Sequence, residues 1–442
     1  MPRYALSLLT LLVALLAAAP AAQAASQGPC VPGTKRPVCH FWTAKTTFVA
    51  DGDTIYARVD GASHTNIIRF IGINAMELTR YSSKASKRRG FCQGVAAANL
   101  VDHYIRRAHG RVMLAAQHPG SKTGKRGRLR RSVFVKSGGR WVDLARLEME
   151  AGLALWLPNP VEYAHNGEYH LLAEEAAAAK RGLYNPASCG AGPSAGADVR
   201  VRLKWDADGP DGGNLNDEWV RLDNLSAAPV SLAGWWLRDS WLDYSPGHLP
   251  GYAFPGWATI PAGGSLTIHM GCGADTPSDL HWCRHSAVYD NVTHDAKHMG
   301  DGAYIFDPRG NLRYSSMYPC MIACADPAQG ALKLRVHPST PEVIDLTNTS
   351  PAPIALDGYL VRLHVRGNPD SAAWNYPFAR TDVLAPGQTI QIHPDGSPSR
   401  NGALDRYLGR GAYVLADGGG AMSLRTYNDI TIDCASWGRG RC

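Results

Sequence analysis

The segment Val49-Ala50-Asp51-Gly52-Asp53-Thr54-Ile55-Tyr56, answered by Arg69-Phe70-Ile71-Gly72-Ile73-Asn74-Ala75-Met76-Glu77, decides how the first part of this chain is read. A turn with two carboxylates leads into a strand. A second apolar strand then opens with an arginine and runs out into a glutamate. Further on, Arg126-Gly127-Arg128-Leu129 adds another arginine. Two guanidinium groups, one glutamate and an aspartate beside a turn are the groups that phosphodiester cleavage requires. Arginines hold phosphate oxygens in forked pairs, a glutamate takes a proton from water, and an aspartate seats a cation. Arg69, Glu77 and an arginine of the second run, Arg128 or its rival Arg126, are therefore the candidate catalytic residues, and the Asp51–Asp53 turn is the candidate cation seat. Lys125 and Arg126 are candidate phosphate contacts, and Asp51 reads as a turn residue or a support for Asp53.

Around that stretch the pattern is α+β. Thr46–Val49, Thr54–Val59 and Ile67–Ile73 read as strands parted by Asp/Gly turns. Gly94 to Ala108 reads as a helix, and Arg111–Gln117 and Arg131–Lys136 return to strand character. Asp143 caps a helix ended by Gly152, and Glu168–Arg181 is an Ala-rich helix ended by Gly182. Short strands closing a small barrel, with helices inserted late, predict an OB-fold-like domain over residues 46–190. Residues 25–45 read as an irregular leader tied by a disulfide, and 191–198 as a Gly/Pro/Ser linker. Trp156, Tyr163 and Tyr169 suit either base stacking or core packing. His103, His109, His118, His165 and His170 lack metal-ligand spacing and read as surface or helix residues.

Composition sets the context. Arg3, the apolar run Ala5–Ala19 and Ala22-Gln23-Ala24 form an export signal over residues 1–24, so the chain is expected to be secreted. No later segment is long and apolar enough to span a bilayer. The ten cysteines follow that signal, and an even count in an exported chain predicts disulfides rather than zinc. Their order suggests local pairs, with Cys92 and Cys189 forming one longer staple. The net charge of +7 is unevenly spread. Residues 25–190 carry 24 Lys+Arg against 12 Asp+Glu, whereas the chain beyond them is acidic. A basic first domain suits a polyanionic partner, DNA or RNA.

The remainder is duplicated. Glu218–Arg238 and Glu342–Arg362 agree at 9 of 21 positions with a constant offset of 124, and Phe254 falls on Phe378. Each copy is short strands between Asn/Gly/Pro turns, which predicts two all-β immunoglobulin-like sandwiches, at 199–324 and 331–442. Trp205, Trp219, Trp235 and Trp236 read as sandwich core. The acidic run Asp206–Asn214 reads as a polar hairpin, its glycines being wrongly placed for an EF-hand.

Across residues 41–185 the chain resembles the staphylococcal nuclease (thermonuclease) family. The likeness rests on Asp51-Gly-Asp-Thr54, the arginine-led strand to Glu77, the Gly-Arg-Leu run at Gly127, Gly139-Arg-Trp-Val-Asp-Leu144 and Gly152-Leu-Ala154. It implies a calcium-assisted endonuclease acting on DNA and RNA and leaving 3′-phosphates. Asp53 would be a carboxylate metal ligand, with Asn74 and the backbone of Ala75 completing the protein side of that site. Arg69 and Arg128 would bind phosphate, and Glu77 would be the general base. Asn74 stands where the family has aspartate, which removes a charge and leaves magnesium or another divalent cation open. The two later copies resemble lamin-tail domains, the second diverged, whose ligand the fold does not fix. The competing reading is a catalytically weakened nucleic-acid-binding or surface-adhesion protein.

Overall fold

The structure is a computed structural model that describes residues 26–35, 37–78, 92–123, 127–188, 196–207, 211–241, 251–292, 296–365, 368–410 and 414–442. Lys125, Arg126, Cys189 and the side chain of Cys92 lie outside the described residues, as do the export signal and most of the linker.

In the first domain the strands are β1 (Ser26–Pro29), β2 (Val38–Val49), β3 (Thr54–Val59), β4 (Asn66–Phe70), β5 (Ile73–Ala75), β6 (Arg111–Ala116), β7 (Lys122–Thr123), β8 (Arg128–Ser137), β9 (Arg140–Asp143) and β10 (Ala154–Trp156). The helices are α1 (Cys92–Arg107), α2 (Leu144–Ala151) and α3 (Asn166–Ala178). Strands β2, β3, β4, β8 and β6 pair in that order, and β6 pairs back onto β2, closing a five-strand barrel. Trp42, Ala44, Ile55, Ala57, Ile68, Phe70, Leu114 and Val133 alternate inward to fill it.

Two local expectations change. The leader is not irregular: β2 begins at Val38, with Trp42 and Ala44 facing the barrel core and Cys39, on the other face, packing in a small cluster with Cys30 and Phe134, and β1 pairs along its first residues. The strand expected over Ile67–Ile73 breaks into β4 and β5 at Gly72. That residue has φ +82° and would drive a Cβ to 2.5 Å from the Tyr169 ring, so only glycine fits. Trp156 and Tyr169 prove to be core: both are fully buried, and Trp156 stacks on His170 with ring centroids 4.0 Å apart. His165 and His170 are buried too: His170 lies within α3, a helix residue as expected, and His165 precedes that helix rather than lying on the surface.

The first tail sandwich contains β11 (Val199–Lys204), β12 (Trp219–Asn224), β13 (Val230–Ser231), β14 (Trp236–Arg238), β15 (Tyr252–Ala253), β16 (Thr259–Ile260), β17 (Ser265–His269), β18 (Asp279–His281), β19 (Asp301–Phe306) and β20 (Leu312–Tyr318). Its sheets run β11-β12-β17-β18 and β15-β14-β19-β20. The second sandwich continues with β21 (Leu332–His337), β22 (Val343–Asn348), β23 (Ile354–Ala355), β24 (Tyr359–Val365), β25 (Asn368–Pro377), β26 (Val383–Leu384), β27 (Thr389–His393), β28 (Asp405–Tyr407), β29 (Gly419–Thr426) and β30 (Thr431–Gly438), in the same two-sheet order.

The repeat is exact in its devices. Strands β12 and β22, β13 and β23, β16 and β26, and β17 and β27 are each related by the offset seen in the sequence. Glu218 accepts from the backbone of Val288 and Tyr289, and Glu342 from that of Val414 and Leu415. Asn224 donates to the Ala228 and Ile260 carbonyls, and Asn348 to those of Ala352 and Leu384. These residues coincide because each brackets the same turn, where a buried backbone group needs a partner.

The domains are not beads on a string. Trp236, Tyr304, Phe306 and Met317 of the first sandwich belong to the barrel's core cluster, whereas Leu237 and Ile305, one residue along, fill the sandwich itself. Glu174 on α3 accepts from the Met321 and Ile322 backbone. At the next junction Leu360 and Tyr427 of the second sandwich join the core of the first, and Trp205 donates to the Tyr427 carbonyl. Among the described residues the disulfides are Cys30–Cys39, Cys272–Cys283, Cys320–Cys324 and Cys434–Cys442, the expected local pairs. Among the described residues no helix is long and apolar enough to cross a membrane.

Candidate active site

The Asp51–Asp53 turn between β2 and β3 meets the kinked exit of β4 and β5. Thr54 lies opposite Arg69 in the β3–β4 ladder, which brings the turn alongside the arginine. Asp53 is almost fully buried. One of its oxygens accepts from the Thr54 hydroxyl at 2.9 Å and pairs with Arg69, and the other accepts from the Ala75 backbone N–H at 2.8 Å. Because Gly72 turns the chain, Arg69 also donates to the Ile73 carbonyl and to Asn74 Oδ1, both at 3.2 Å. The fork is thus held rigidly, as a pre-set phosphate cradle requires.

Strand β8 runs parallel to β4 with Arg130 opposite Arg69. Arg128, two residues earlier, shares that face of the sheet, away from Ile68 and Phe70 in the core. Arg131 points the other way and serves the fold: it donates to the Ser121 and Pro119 carbonyls and lies over Trp42. Glu77 closes the group. Burial lifts its pKa above the usual glutamate range, and Asp51 adds to that, while Arg69, Arg128 and Arg238 pull it back. Burial likewise lifts Asp51 against the pull of Arg69 and Arg128. Arg69 itself is brought down to about 10 by burial, which leaves it charged at neutral pH. Arg69, Arg128, Glu77 and Asp53 therefore converge on one charged cluster.

The oxygens of Asp53, Asn74 and Asp51 suit a hard divalent cation in kind. They are few: among the described residues no three His, Cys, Asp or Glu side chains stand together as a ligand set. Asp53 and Asn74 also engage Arg69, so a cation there competes with a guanidinium for them.

Two residues at the site were not singled out by the sequence. Glu148 on α2 is 0 % exposed, and among the described residues neither carboxyl oxygen has a hydrogen-bond partner. A Cβ at Gly52 would stand 2.6 Å from that of Ala97, 2.8 Å from that of Ala75 and 2.8 Å from Glu148 Oε1, so the turn is tight against all three. Burial raises the pKa of Glu148 far above the ordinary value, Asp51 adds to this, and Arg69 opposes it. Its only sequence signal is an acidic residue on a helix face otherwise filled by Leu144, Ala145 and Met149. The other is Arg238 of the first sandwich, whose charge acts on Arg69 and Glu77. The repeat pairs it with Arg362 and hides any role of its own.

The lamin tail domain family matches residues 195–319, the first sandwich, and so agrees with its immunoglobulin-like architecture. No curated protein matches the chain.

Proposed function

We propose that this chain is a secreted phosphodiesterase, a metal-assisted endonuclease of the staphylococcal-nuclease type acting on DNA and/or RNA, with two tail sandwiches behind it. The observation that carries the reading is the convergence of Arg69, Arg128 and Glu77 beside the buried Asp53 on the rim of a closed barrel. The resemblance across residues 41–185 and the basic first domain support it.

In this reading Arg69 and Arg128 fork onto the non-bridging oxygens of the scissile phosphate and neutralise the charge that grows there. Glu77, with its pKa raised toward working pH, takes a proton from the attacking water as its oxygen bonds to phosphorus. The P–O bond to the leaving sugar oxygen breaks in line, and that oxygen takes a proton from solvent water, Glu77 later returning its own to solvent. Asp53, Asn74 and the Ala75 carbonyl would hold calcium or magnesium, which supplies further positive charge next to the phosphate when bound. Extracellular nucleic acid is the natural target.

The pairing of Arg69 with Asp53 and the missing charge at Asn74 favour one rival, a nucleic-acid-binding protein with little turnover. Incubating the oxidised full chain with supercoiled plasmid in calcium, magnesium or chelator decides between them. Cation-dependent nicking is expected; retention of DNA in a gel shift without cleavage under any ion leaves the binding protein.

A further inference from the structure

The outer face of the barrel carries an exposed aromatic row beside the arginines. Along β3, Ile55, Ala57 and Val59 face the core, so Thr54, Tyr56 and Arg58 stand on the outer face. On β4, Ile68 and Phe70 face the core, and Ile67 and Arg69 the outside. Strand β2 brings Phe48 opposite Tyr56, and Tyr56 in turn lies opposite Ile67. Phe48 is 43 % exposed, whereas its inward neighbour Val49 is 7 % exposed. The Phe48 and Tyr56 rings meet edge to face, with centroids 5.7 Å apart. A bulge at Thr47 precedes the pair, and the Thr47 hydroxyl donates to the Tyr56 carbonyl at 3.2 Å, which fixes their register.

Cations border this row on both sides. Arg69 stands opposite Thr54 and beside Arg130 of β8. Leu129 is level with Ile68 on the parallel strand, so Arg128 is level with Ile67 at the end of the aromatic row. On the far side Lys45 lies opposite Arg58, both exposed. Asp60, two residues beyond Arg58, is already held by Arg111 and Thr43. From Thr54 to Arg58 the two cationic rows are about 13 Å apart, with the rings midway.

We propose that Phe48 and Tyr56 form a base-stacking platform beside the phosphodiester site, and that the substrate is single-stranded nucleic acid whose unpaired base lies on these rings. The inference rests on the functional reading above and deepens it. Aromatic rings set in a basic groove are the arrangement that holds an unpaired strand, because every base has a face to stack and every link a phosphate to neutralise. In a duplex the base faces are covered by their neighbours, so a platform on an exposed sheet face serves only unpaired bases. With the scissile phosphate at Arg69 and Arg128, the strand crosses the rings and its next phosphates reach Lys45 and Arg58.

The test measures binding by the oxidised full chain in chelator to two probes of equal length, an oligothymidylate and an abasic strand with the same phosphates. The variants are Phe48→Ala, Phe48→Leu, which keeps an apolar contact with Tyr56 but no ring, and Phe48→Trp, which keeps a ring. The wild type is expected to bind oligothymidylate more tightly than the abasic strand. Phe48→Ala and Phe48→Leu weaken oligothymidylate binding roughly 5- to 140-fold, as for one stacked base, and leave the abasic strand within twofold. Their slope of log K against log salt stays that of the wild type, whereas Lys45→Gln makes it shallower by about 0.7, one phosphate contact on a single strand. Phe48→Trp binds oligothymidylate at least as tightly as the wild type. Equal affinity of the wild type for the two probes overturns the proposal. So does a Phe48→Leu variant within twofold on oligothymidylate, or one that loses both probes equally. If the wild type cleaves nothing with any cation, the phosphodiesterase reading fails by itself, and the two probes still decide whether the rings take a base.

Discussion

Replacing Arg69 by alanine tests the site and the fold together. Asp53 is 3 % exposed, and its carboxylate is satisfied by Thr54, the Ala75 backbone and Arg69. Removing the arginine leaves a buried charge with two neutral donors. Breaking a buried pair from one side costs about 3–5 kcal/mol. Barrel and first sandwich share one core and form a unit larger than the 150–250 residues for which each kcal/mol moves Tm by roughly 2–4 °C, so a fall of a few °C is expected. Asp53→Asn in the same chain removes the stranded charge and keeps an acceptor for the Ala75 N–H. The double variant should therefore recover part of the loss, with a coupling of about 2 kcal/mol. Differential scanning calorimetry and urea titration of the wild type, both single variants and the double variant supply the cycle. Strictly additive effects, or an Arg69→Ala variant within 1 kcal/mol of wild type, would refute the buried pair as the anchor of this site.

Other outcomes follow from the same geometry. Glu148 is buried without partners, and its folded pKa lies well above its unfolded value near 4.5. Its contribution to stability is thus complete below that value and is lost as pH rises through the folded pKa. Glu148→Gln should flatten the fall in stability between acid and neutral pH, measured by urea midpoints, and Glu148→Leu should stabilise the protein by about 1–3 kcal/mol at neutral pH. Trp236 joins the barrel and the first sandwich through one core, so the two should melt in a single transition. Trp236→Ala should cost about 3–5 kcal/mol and split that transition in a calorimetric scan; two peaks already in the wild type, or a single peak in the variant, would mean that Trp236 is not what couples them.

Much of the architecture was legible because period and repeat speak directly. The alternation along Thr54–Val59 and Arg131–Lys136 gave barrel strands, and the constant offset gave two sandwiches before any strand was drawn. Arg69, Arg128 and Glu77 drew attention through the spacing of the Asp51–Thr54, Arg69–Glu77 and Arg126–Leu129 segments, and the fold brings their charges within reach of one another. What stayed hidden depends on contacts between distant segments. The kink at Gly72 is set by the Tyr169 ring, nearly a hundred residues away in sequence. Trp236 read as sandwich core because strand spacing says that a side chain is buried, not which of two cores buries it. Trp219, grouped with it, instead approaches Gly358 of the second sandwich. Glu148 and Arg238 were invisible for the same reason: each belongs to an ordinary element and acquires meaning only from what that element packs against.

The account stands or falls on Glu77 as the base. Single-turnover cleavage of a 5′-labelled oligonucleotide by the oxidised full chain and its Glu77→Gln variant, with binding measured in parallel, isolates the chemical step. The account predicts a fall of at least about 10²-fold in the cleavage rate, as for loss of a general base, while the variant binds DNA as well as the wild type. Equal cleavage rates for the two proteins would contradict it.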